Sequence, residues 1–299
     1  MPYAGYKIVV VTPAGRKRYL ELLFIQILNY KRCGIVDEYQ LWKNTTNQAD
    51  IDYMDGLQTE YPGFVKARKC PVPFNQNMSI YSFFKECVEE KTIYIRFDDD
   101  VVLLDTVEAF KSLLDFRIKN RKYFMIYPTI LNNAVITNIL QKHGLLTLSR
   151  LAGYECNDSV GWNDPAFAKE LHDFVLARPD LSNYRFGTQW LLMNNERVSI
   201  NGLCWIGSDF KKLCDGNVGH DEELELSVEM PKRMGLINCI YGDYCIVHYS
   251  FHTQRDVLDR EEYLEKYRDV VIKNMRNQVI ESITSLDTLY ALFKPCADA

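Results

Sequence analysis

The chain has neither an excess of basic residues nor a long hydrophobic run. Its 299 residues carry a formal net charge of −5, and nucleic-acid binding depends on neutralising phosphates with lysine and arginine, so we expect no nucleic-acid partner. No stretch reaches the roughly 18 to 20 apolar residues of a membrane-spanning helix. The N-terminal stretch also lacks the pattern of a secretory signal peptide. These absences lead us to expect a soluble, cytoplasmic protein with no membrane span.

The nine cysteines are scattered, odd in number, and lack the CxxC or Cys/His spacing of a zinc site. This usage is typical of a reducing compartment, which agrees with the cytoplasmic expectation. The loop "TPAGRKR" contains a single glycine, whereas enzymes that activate sugars with a nucleotide normally have a glycine-rich basic loop after the first strand. This absence weakens the interpretation of the chain as a sugar nucleotidyltransferase.

Strand and helix patterns alternate regularly from "KIVVVTP" to "TIYIRF". The first strand should end in a turn built on Pro13 and Gly15, followed by an amphipathic helix. This β-α-β-α-β-α-β order predicts an α/β fold with a mostly parallel sheet and helices on both faces. In such sheets, ligands bind beyond the carboxyl ends of the strands.

The second half of the sequence has a less regular pattern. We predict a helix near 106–119, a strand at "YFMIYPTI", and further strands within "ERVSINGLCWIGSDFKKL" and "INCIYGDYCIVHYSF". The C-terminal region should form a helix packed on the core. Its apolar face at near-helical spacing comprises Tyr263, Tyr267, Val271, Met275, Val279 and Ile283.

Three consecutive aspartates, Asp98, Asp99 and Asp100, follow the apolar strand "TIYIRF". Adjacent carboxylates repel one another, and burying them costs desolvation. A solvated loop is the ordinary explanation of an acidic run, but "VVLL" follows immediately, so this loop must be short and close to the sheet. A divalent cation, Mg²⁺ or Mn²⁺, is the natural compensation.

The first strand and the three aspartates make the chain resemble the GT-A glycosyltransferases, whose DxD motif corresponds to "RFDDDVV" in this sequence. The stretches "CWIGSDF", "HDEEL" and "VHYSFHTQRDVL" are similar to the acceptor half of such enzymes. The resemblance implies a Rossmann-like GT-A fold: a mixed, mostly parallel sheet flanked by helices, with C-terminal helices. It implies one domain over 1–256, with a nucleotide-sugar-binding half at about 1–105 and an acceptor-binding half at about 106–256. Residues 257–299 are expected to form a helical extension.

The resemblance also implies an activity. A glycosyltransferase of this family moves a sugar from a nucleoside diphosphate sugar, here with a UDP-sugar as the expected donor, to a hydroxyl of a glycan acceptor. Mn²⁺ or Mg²⁺ bound through the DxD motif holds the donor, and we expect inversion at the anomeric carbon. The alternatives are a sugar nucleotidyltransferase and a non-catalytic sugar-binding module on the same fold.

The resemblance assigns Asp100 to the metal, together with His248 at the end of a predicted strand. His252, four residues further on, is the alternative ligand. Asp98 is expected to face the ribose or a sugar hydroxyl, and Asp99 could take either role.

Other residues of the first half are expected near the donor. The resemblance places Thr12 and Pro13 close to the base, and Asn75 and Asn77 within hydrogen-bonding reach of the nucleotide or donor sugar. Arg96 could pair with a motif carboxylate or a diphosphate, or be an ordinary solvent-facing strand residue.

The acidic stretch "HDEEL" precedes a helical pattern and resembles the helix start that supplies the base in inverting GT-A enzymes. One carboxylate there would remove the proton of the acceptor hydroxyl. A carboxylate at this position can also simply complement the helix dipole. Glu222 is the favoured base, with Asp221 and Glu223 as alternatives.

Overall fold

The computed structural model describes residues 2–76 and 78–278. Strands and helices are named here in chain order. The strands are β1 Lys7–Ala14, β2 Glu38–Lys43, β3 Val65–Lys69, β4 Thr92–Phe97, β5 Val101–Leu104, β6 Tyr123–Leu131, β7 Gln189–Leu192, β8 Gly202–Ile206 and β9 Ile237–His248. The helices are α1 Lys17–Arg32, α2 Gln48–Glu60, α3 Val107–Lys119, α4 Ala134–Lys142, α5 Pro165–Ala177, α6 Gly207–Cys214, α7 Glu222–Leu224, α8 Met230–Met234, α9 Arg255–Arg260 and α10 Tyr263–Gln278.

The first half folds as the alternating pattern predicts. Strands β3, β2, β1 and β4 lie side by side and are all parallel. Helices α1 and α2 connect the first three of them, and a short 3-10 helix at Ile80–Glu86 precedes β4. Because the strands are parallel, their carboxyl ends meet at one edge of the sheet, and β4 brings the three aspartates there.

The second half extends the same sheet in the order β4-β8-β6-β9-β5, with β7 also paired to β9. Strand β8 is antiparallel to both β4 and β6, whereas β9 is parallel to β6. Strands β6 and β9 therefore run in the same direction as β4, and their carboxyl ends join the edge that carries the aspartates. The predicted α/β class, with a mixed, mostly parallel sheet flanked by helices, is confirmed.

Some local predictions were wrong. Pro13 lies inside β1, paired with Trp42 of β2, and the chain leaves the strand only at Gly15. The stretch "GSDFKKLC" forms helix α6 rather than strand, because "GLCWI" alone supplies the buried run of β8. The helical pattern that follows "HDEEL", by contrast, is confirmed: the segment that starts at Glu222 continues through a π-helical turn at Glu225–Glu229 into α8.

The predicted face of the C-terminal helix is confirmed for the part that the structure describes. Tyr263, Tyr267, Val271 and Met275 are all buried, on a helix that packs against α1, α5 and β5. Val279 and Ile283 lie outside the described residues. Across residues 2–76 and 78–278, no helix is both long and apolar enough to cross a membrane.

Candidate active site

The three aspartates occupy a tight turn between β4 and β5. The backbone N–H of Asp98 donates to the carbonyl of Asn201, and the N–H of Val101 donates back to the carbonyl of Asp98. The carbonyl of Asp100 accepts from the N–H of Tyr249, just beyond β9. The turn is thus fixed to two neighbouring parts of the sheet, and its carboxylates reach different partners.

Asp98 is held on both sides by buried polar residues. Its Oδ1 accepts from Arg96 Nε at 3.1 Å and Nη2 at 2.8 Å. Its Oδ2 accepts from the side-chain amide of Asn201 at 3.2 Å. Arg96 is only 3% exposed, so it does not face solvent, and in the structure it pairs with a carboxylate of the cluster; contact with a diphosphate stays a prediction.

Asp99 ties the turn to the loop between β1 and α1. The backbone N–H of Gly15 donates to Asp99 Oδ2 at 2.9 Å, and Arg16 Nε donates to Oδ1 at 3.1 Å. Arg16 Nη2 also contacts Asp99 Oδ1. A Cβ atom on Gly15 would lie 2.6 Å from the carbonyl oxygen of Asn44, so only glycine allows the loop to pass this closely.

Asp100 lies next to His248, which the end of β9 brings to the same edge. His248 Nε2 is 3.6 Å from Asp100 Oδ1, and both side chains are buried. Burial opposes ionisation of Asp100, but the charges of Arg16, His248 and Arg255 outweigh it and hold the pKa of this carboxyl well below its usual range. Asp100 is therefore an anion at any physiological pH.

The backbone of Asn132 sets the orientation of His248. Asn132 adopts a positive φ of 63°, in the left-handed region that asparagine tolerates better than most residues. Its carbonyl lies 3.1 Å from His248 Nδ1, and because a carbonyl can only accept, Nδ1 carries the hydrogen. Nε2 is then the ring nitrogen on the Asp100 side, from which a histidine can ligate a metal.

The donor set at this edge fits a hard divalent cation. Asp100 supplies a carboxylate, the kind of donor that suits Mn²⁺ and Mg²⁺, and His248 adds an imidazole nitrogen. Among the described residues there is no group of three or more His, Cys, Asp and Glu side chains arranged to hold a metal ion. A cation here would depend on water and ligand oxygens for the rest of its shell, as Mg²⁺-type sites do when they bind through substrate phosphates.

Glu222 connects to the aspartates through Arg96. Arg96 Nη1 lies 2.9 Å from Glu222 Oε1, so the guanidinium pairs with Glu222 and Asp98 together. The other oxygen, Glu222 Oε2, is buried and accepts no hydrogen bond from a described residue. Burial raises the pKa of Glu222 to about 7, with Asp98 adding to the effect and Arg96 opposing it.

Asp221 and Glu223 both pair with Arg197 rather than with Arg96. Arg197 Nη2 donates to both oxygens of Asp221 at 3.1 Å, and Arg197 Nε donates to Glu223 Oε1 at 2.8 Å. Asp221 Oδ1 also caps the helix by accepting from the N–H of Leu224. Within the acidic stretch, Glu222 is thus the carboxylate linked to the aspartates, while Asp221 caps the helix and Glu223 pairs with Arg197.

Comparisons with known proteins give distant similarities only. No family model matches the chain, and no curated protein matches it. Glucosyl-3-phosphoglycerate synthase from Mycobacterium tuberculosis, solved with Mn²⁺, UDP and glucosyl-3-phosphoglycerate, is 10% identical, covering 89% of this chain and 80% of that chain with a TM-score of 0.45. Mannosyl-3-phosphoglycerate synthase from Rubrobacter xylanophilus is 9% identical, covering 93% of this chain and 76% of that chain with a TM-score of 0.45.

A 4-diphosphocytidyl-2C-methyl-D-erythritol synthase from Anaerococcus prevotii is 16% identical, with a TM-score of 0.29. That match covers 42% of this chain and 57% of the synthase, so the chain spans little more than half of its length. All of these TM-scores are below 0.5. The fold assignment therefore rests on the sheet topology, and the site on its side-chain geometry.

Several predicted residues lie apart from the contacts described above. Thr12 is fully buried in β1, where its Oγ1 accepts from the hydroxyl of Tyr39 at 3.1 Å. Asn75 is exposed, and its backbone N–H donates to Ser79 Oγ. His252 is exposed and packs its ring against Trp162 at 5.1 Å between centroids.

Pro13 is buried next to Thr12 within β1, and Asn77 lies outside the described residues. The roles of Thr12, Pro13 and Asn75 in nucleotide binding remain predictions.

Sequence reasoning missed four residues that support the site: Arg16, Asn132, Asn201 and Arg255. Arg16 offered a signal, since it follows the glycine of the loop after β1. Asn201 offered another, since it comes directly before a buried strand. The positions of Asn132 and Arg255 relative to Asp100 depend on how β6 and β9 pair, which no local pattern reveals.

Proposed function

We propose that the protein is a metal-dependent glycosyltransferase of GT-A type, which moves a sugar from a nucleoside diphosphate sugar to a hydroxyl of a glycan acceptor with inversion. The observation that carries the proposal is the convergence of Asp98, Asp100, His248 and Glu222 at one edge of the sheet. These side chains come from the ends of β4 and β9 and from the start of α7. Together they provide donors for a cation and a basic carboxylate linked through Arg96.

Asp100 and His248 are the residues that would hold Mn²⁺ or Mg²⁺. When bound, such a cation offsets the negative charge on the departing diphosphate. Asp100 suits this role because its carboxyl stays ionised, and His248 suits it because Asn132 fixes its tautomer. Asp98, whose side chain is 21% exposed and whose Oδ2 accepts from Asn201, is assigned to a hydroxyl of the donor sugar or ribose.

Glu222 is assigned as the general base. A pKa of about 7 lies close to the operating pH, where a carboxylate combines sufficient basicity with a useful ionised fraction. Glu222 Oε2, which has no partner among the described residues, accepts the proton of the acceptor hydroxyl. The acceptor oxygen forms a bond to the anomeric carbon as the bond between that carbon and the diphosphate oxygen breaks.

Arg96 connects the proposed general base, Glu222, to the proposed donor-binding carboxylate, Asp98. Its guanidinium holds Glu222 Oε1 and Asp98 Oδ1 at 2.9 and 2.8 Å, so a base and a donor-binding carboxylate are fixed relative to each other. Preorganised positioning of this kind accounts for much of the rate enhancement in group-transfer enzymes.

The test is an incubation of the purified protein with a panel of UDP-, GDP- and CDP-sugars and Mn²⁺, followed by chromatography for the free nucleoside diphosphate. We expect release from one donor, its loss with chelator, and its return when Mn²⁺ is restored. A parallel incubation with nucleoside triphosphates and sugar 1-phosphates examines the nucleotidyltransferase alternative. Pyrophosphate release in that arm, with no diphosphate release in the first, would overturn the proposal.

A further inference from the structure

Arg16 links two of the three aspartates. Its Nη2 lies 2.9 Å from Asp100 Oδ2 and also contacts Asp99 Oδ1. Its Nε lies 3.1 and 3.3 Å from the two oxygens of Asp99. The guanidinium therefore contacts Asp99 through two nitrogens, Nε and Nη2, but contacts Asp100 through Nη2 alone.

The contact of Arg16 with Asp100 is easier to break than its contacts with Asp99. The grip on Asp99 is reinforced by the N–H of Gly15, which donates to the same carboxylate. Arg16 reaches Asp100 with Nη2 alone, and the Arg16 side chain is 34% exposed. Arg16 can therefore leave Asp100 while its loop stays attached to Asp99.

The charges around Asp100 determine whether a cation can bind there without another ligand. Asp99 and Asp100 are balanced by Arg16 and by Arg255, whose Nη2 lies 3.6 Å from Asp100 Oδ2. A divalent cation added alone leaves an excess of positive charge next to a guanidinium, and such repulsion is strong at a few ångströms in a partly buried site. A diphosphate group added with the cation restores the balance.

We propose, building on the proposed function, that Arg16 is a displaceable internal counter-ion of Asp100 that makes cation binding depend on the nucleoside diphosphate. With a cation bound, Asp100 would serve as one of its ligands, and the guanidinium released from Asp100 would pair with a diphosphate oxygen. Each ligand consequently favours the binding of the other, and Arg16 carries a share of that coupling free energy.

The experiment measures Mn²⁺ affinity from the electron paramagnetic resonance signal of free Mn²⁺, with and without saturating UDP. Wild-type protein should bind Mn²⁺ weakly alone and at least about tenfold more tightly with UDP, a ratio within the usual range of coupling between sites. Arg16→Gln should bind Mn²⁺ alone more tightly than wild type, and UDP should improve its Mn²⁺ affinity much less. A residue with a purely structural role would not produce this gain in affinity.

Two further variants serve as controls. Arg16→Lys keeps the positive charge, so its Mn²⁺ affinity without UDP should stay close to that of wild type. Lys17→Gln removes the adjacent charge, which is exposed and pairs only weakly with Glu21 at 3.7 Å, and should leave both affinities unchanged. Circular dichroism spectra identical to wild type would establish that each variant is folded.

The outcomes separate this inference from the proposed function. If wild type shows coupling but Arg16→Gln binds Mn²⁺ alone no more tightly than wild type, Arg16 is not the counter-ion and the metal site stands. If wild type binds Mn²⁺ neither alone nor with UDP, GDP or CDP, the metal-dependent function and this inference both fail.

Discussion

Replacing Glu222 by glutamine should stabilise the folded chain, and the gain should grow with pH. Glutamine has nearly the same shape and imitates the protonated carboxyl. The folded state raises the pKa of Glu222 from 4.5 to about 7, so it binds this proton more tightly than the unfolded state does. The stability associated with the bound proton is fully present below about pH 4.5 and is lost as the pH rises through about 7.

The magnitude follows from the size of that shift. Each pKa unit corresponds to about 1.4 kcal/mol, so an ionised Glu222 costs the wild-type fold about 3 kcal/mol at pH 8 and below about 1 kcal/mol at pH 5. The side chain is only 11% exposed, and solvent screening therefore reduces this figure little. Glu222→Gln removes the cost, while Arg96 keeps its ion pair with Asp98.

Urea unfolding of wild type and Glu222→Gln at pH 5 and pH 8 measures the effect. The difference in unfolding free energy should be larger by about 2 kcal/mol at pH 8. Glu223→Gln is the matched control, because it removes a carboxylate paired with Arg197 and should not stabilise the protein. An equal difference at the two pH values, or a loss of stability at pH 8, would refute the reasoning about Glu222.

The other predictions concern catalysis and the metal-binding edge. Glu222→Gln should lower kcat by roughly 10² to 10⁴ while leaving donor affinity nearly unchanged, and normal turnover by this variant would remove the base assignment. The wild-type kcat/KM profile should rise through a pKa of about 7. His248→Ala should raise the Mn²⁺ concentration needed for half-maximal activity, whereas His252→Ala should not; the reverse pattern would transfer the role to His252. Gly15→Ala places a Cβ atom 2.6 Å from the carbonyl oxygen of Asn44. It should therefore lower the free energy of unfolding in urea by roughly 1 to 3 kcal/mol and weaken UDP binding. A wild-type unfolding free energy together with wild-type UDP affinity would show that the loop moves freely.

The position of the aspartates could be predicted because it depends on local pattern and on a general property of parallel sheets. An apolar run that ends in charged residues marks a strand end, and the carboxyl ends of β1 and β4 meet at one edge. The helix start at Glu222 was equally visible as an acidic cluster before an apolar periodicity.

The partners of these residues could not be predicted in the same way. The pair between Arg96 and Glu222 joins residues far apart in sequence, and it depends on β8 entering the sheet antiparallel to β4. The sequence places Arg16 in a basic loop, but its contacts with Asp99 and Asp100 depend on the close approach that Gly15 permits. Long-range packing, rather than local propensity, decided these contacts.

The most direct test of the account is a calorimetric titration of UDP into wild-type protein with Mn²⁺, into wild type with chelator, and into Asp100→Ala with Mn²⁺. The account predicts clear binding in the first titration and a loss of affinity of at least about tenfold in the other two, since Asp100 is assigned to the cation that holds the diphosphate. Equal UDP affinity in all three titrations would contradict the central claim that this edge of the sheet binds a nucleotide through a metal.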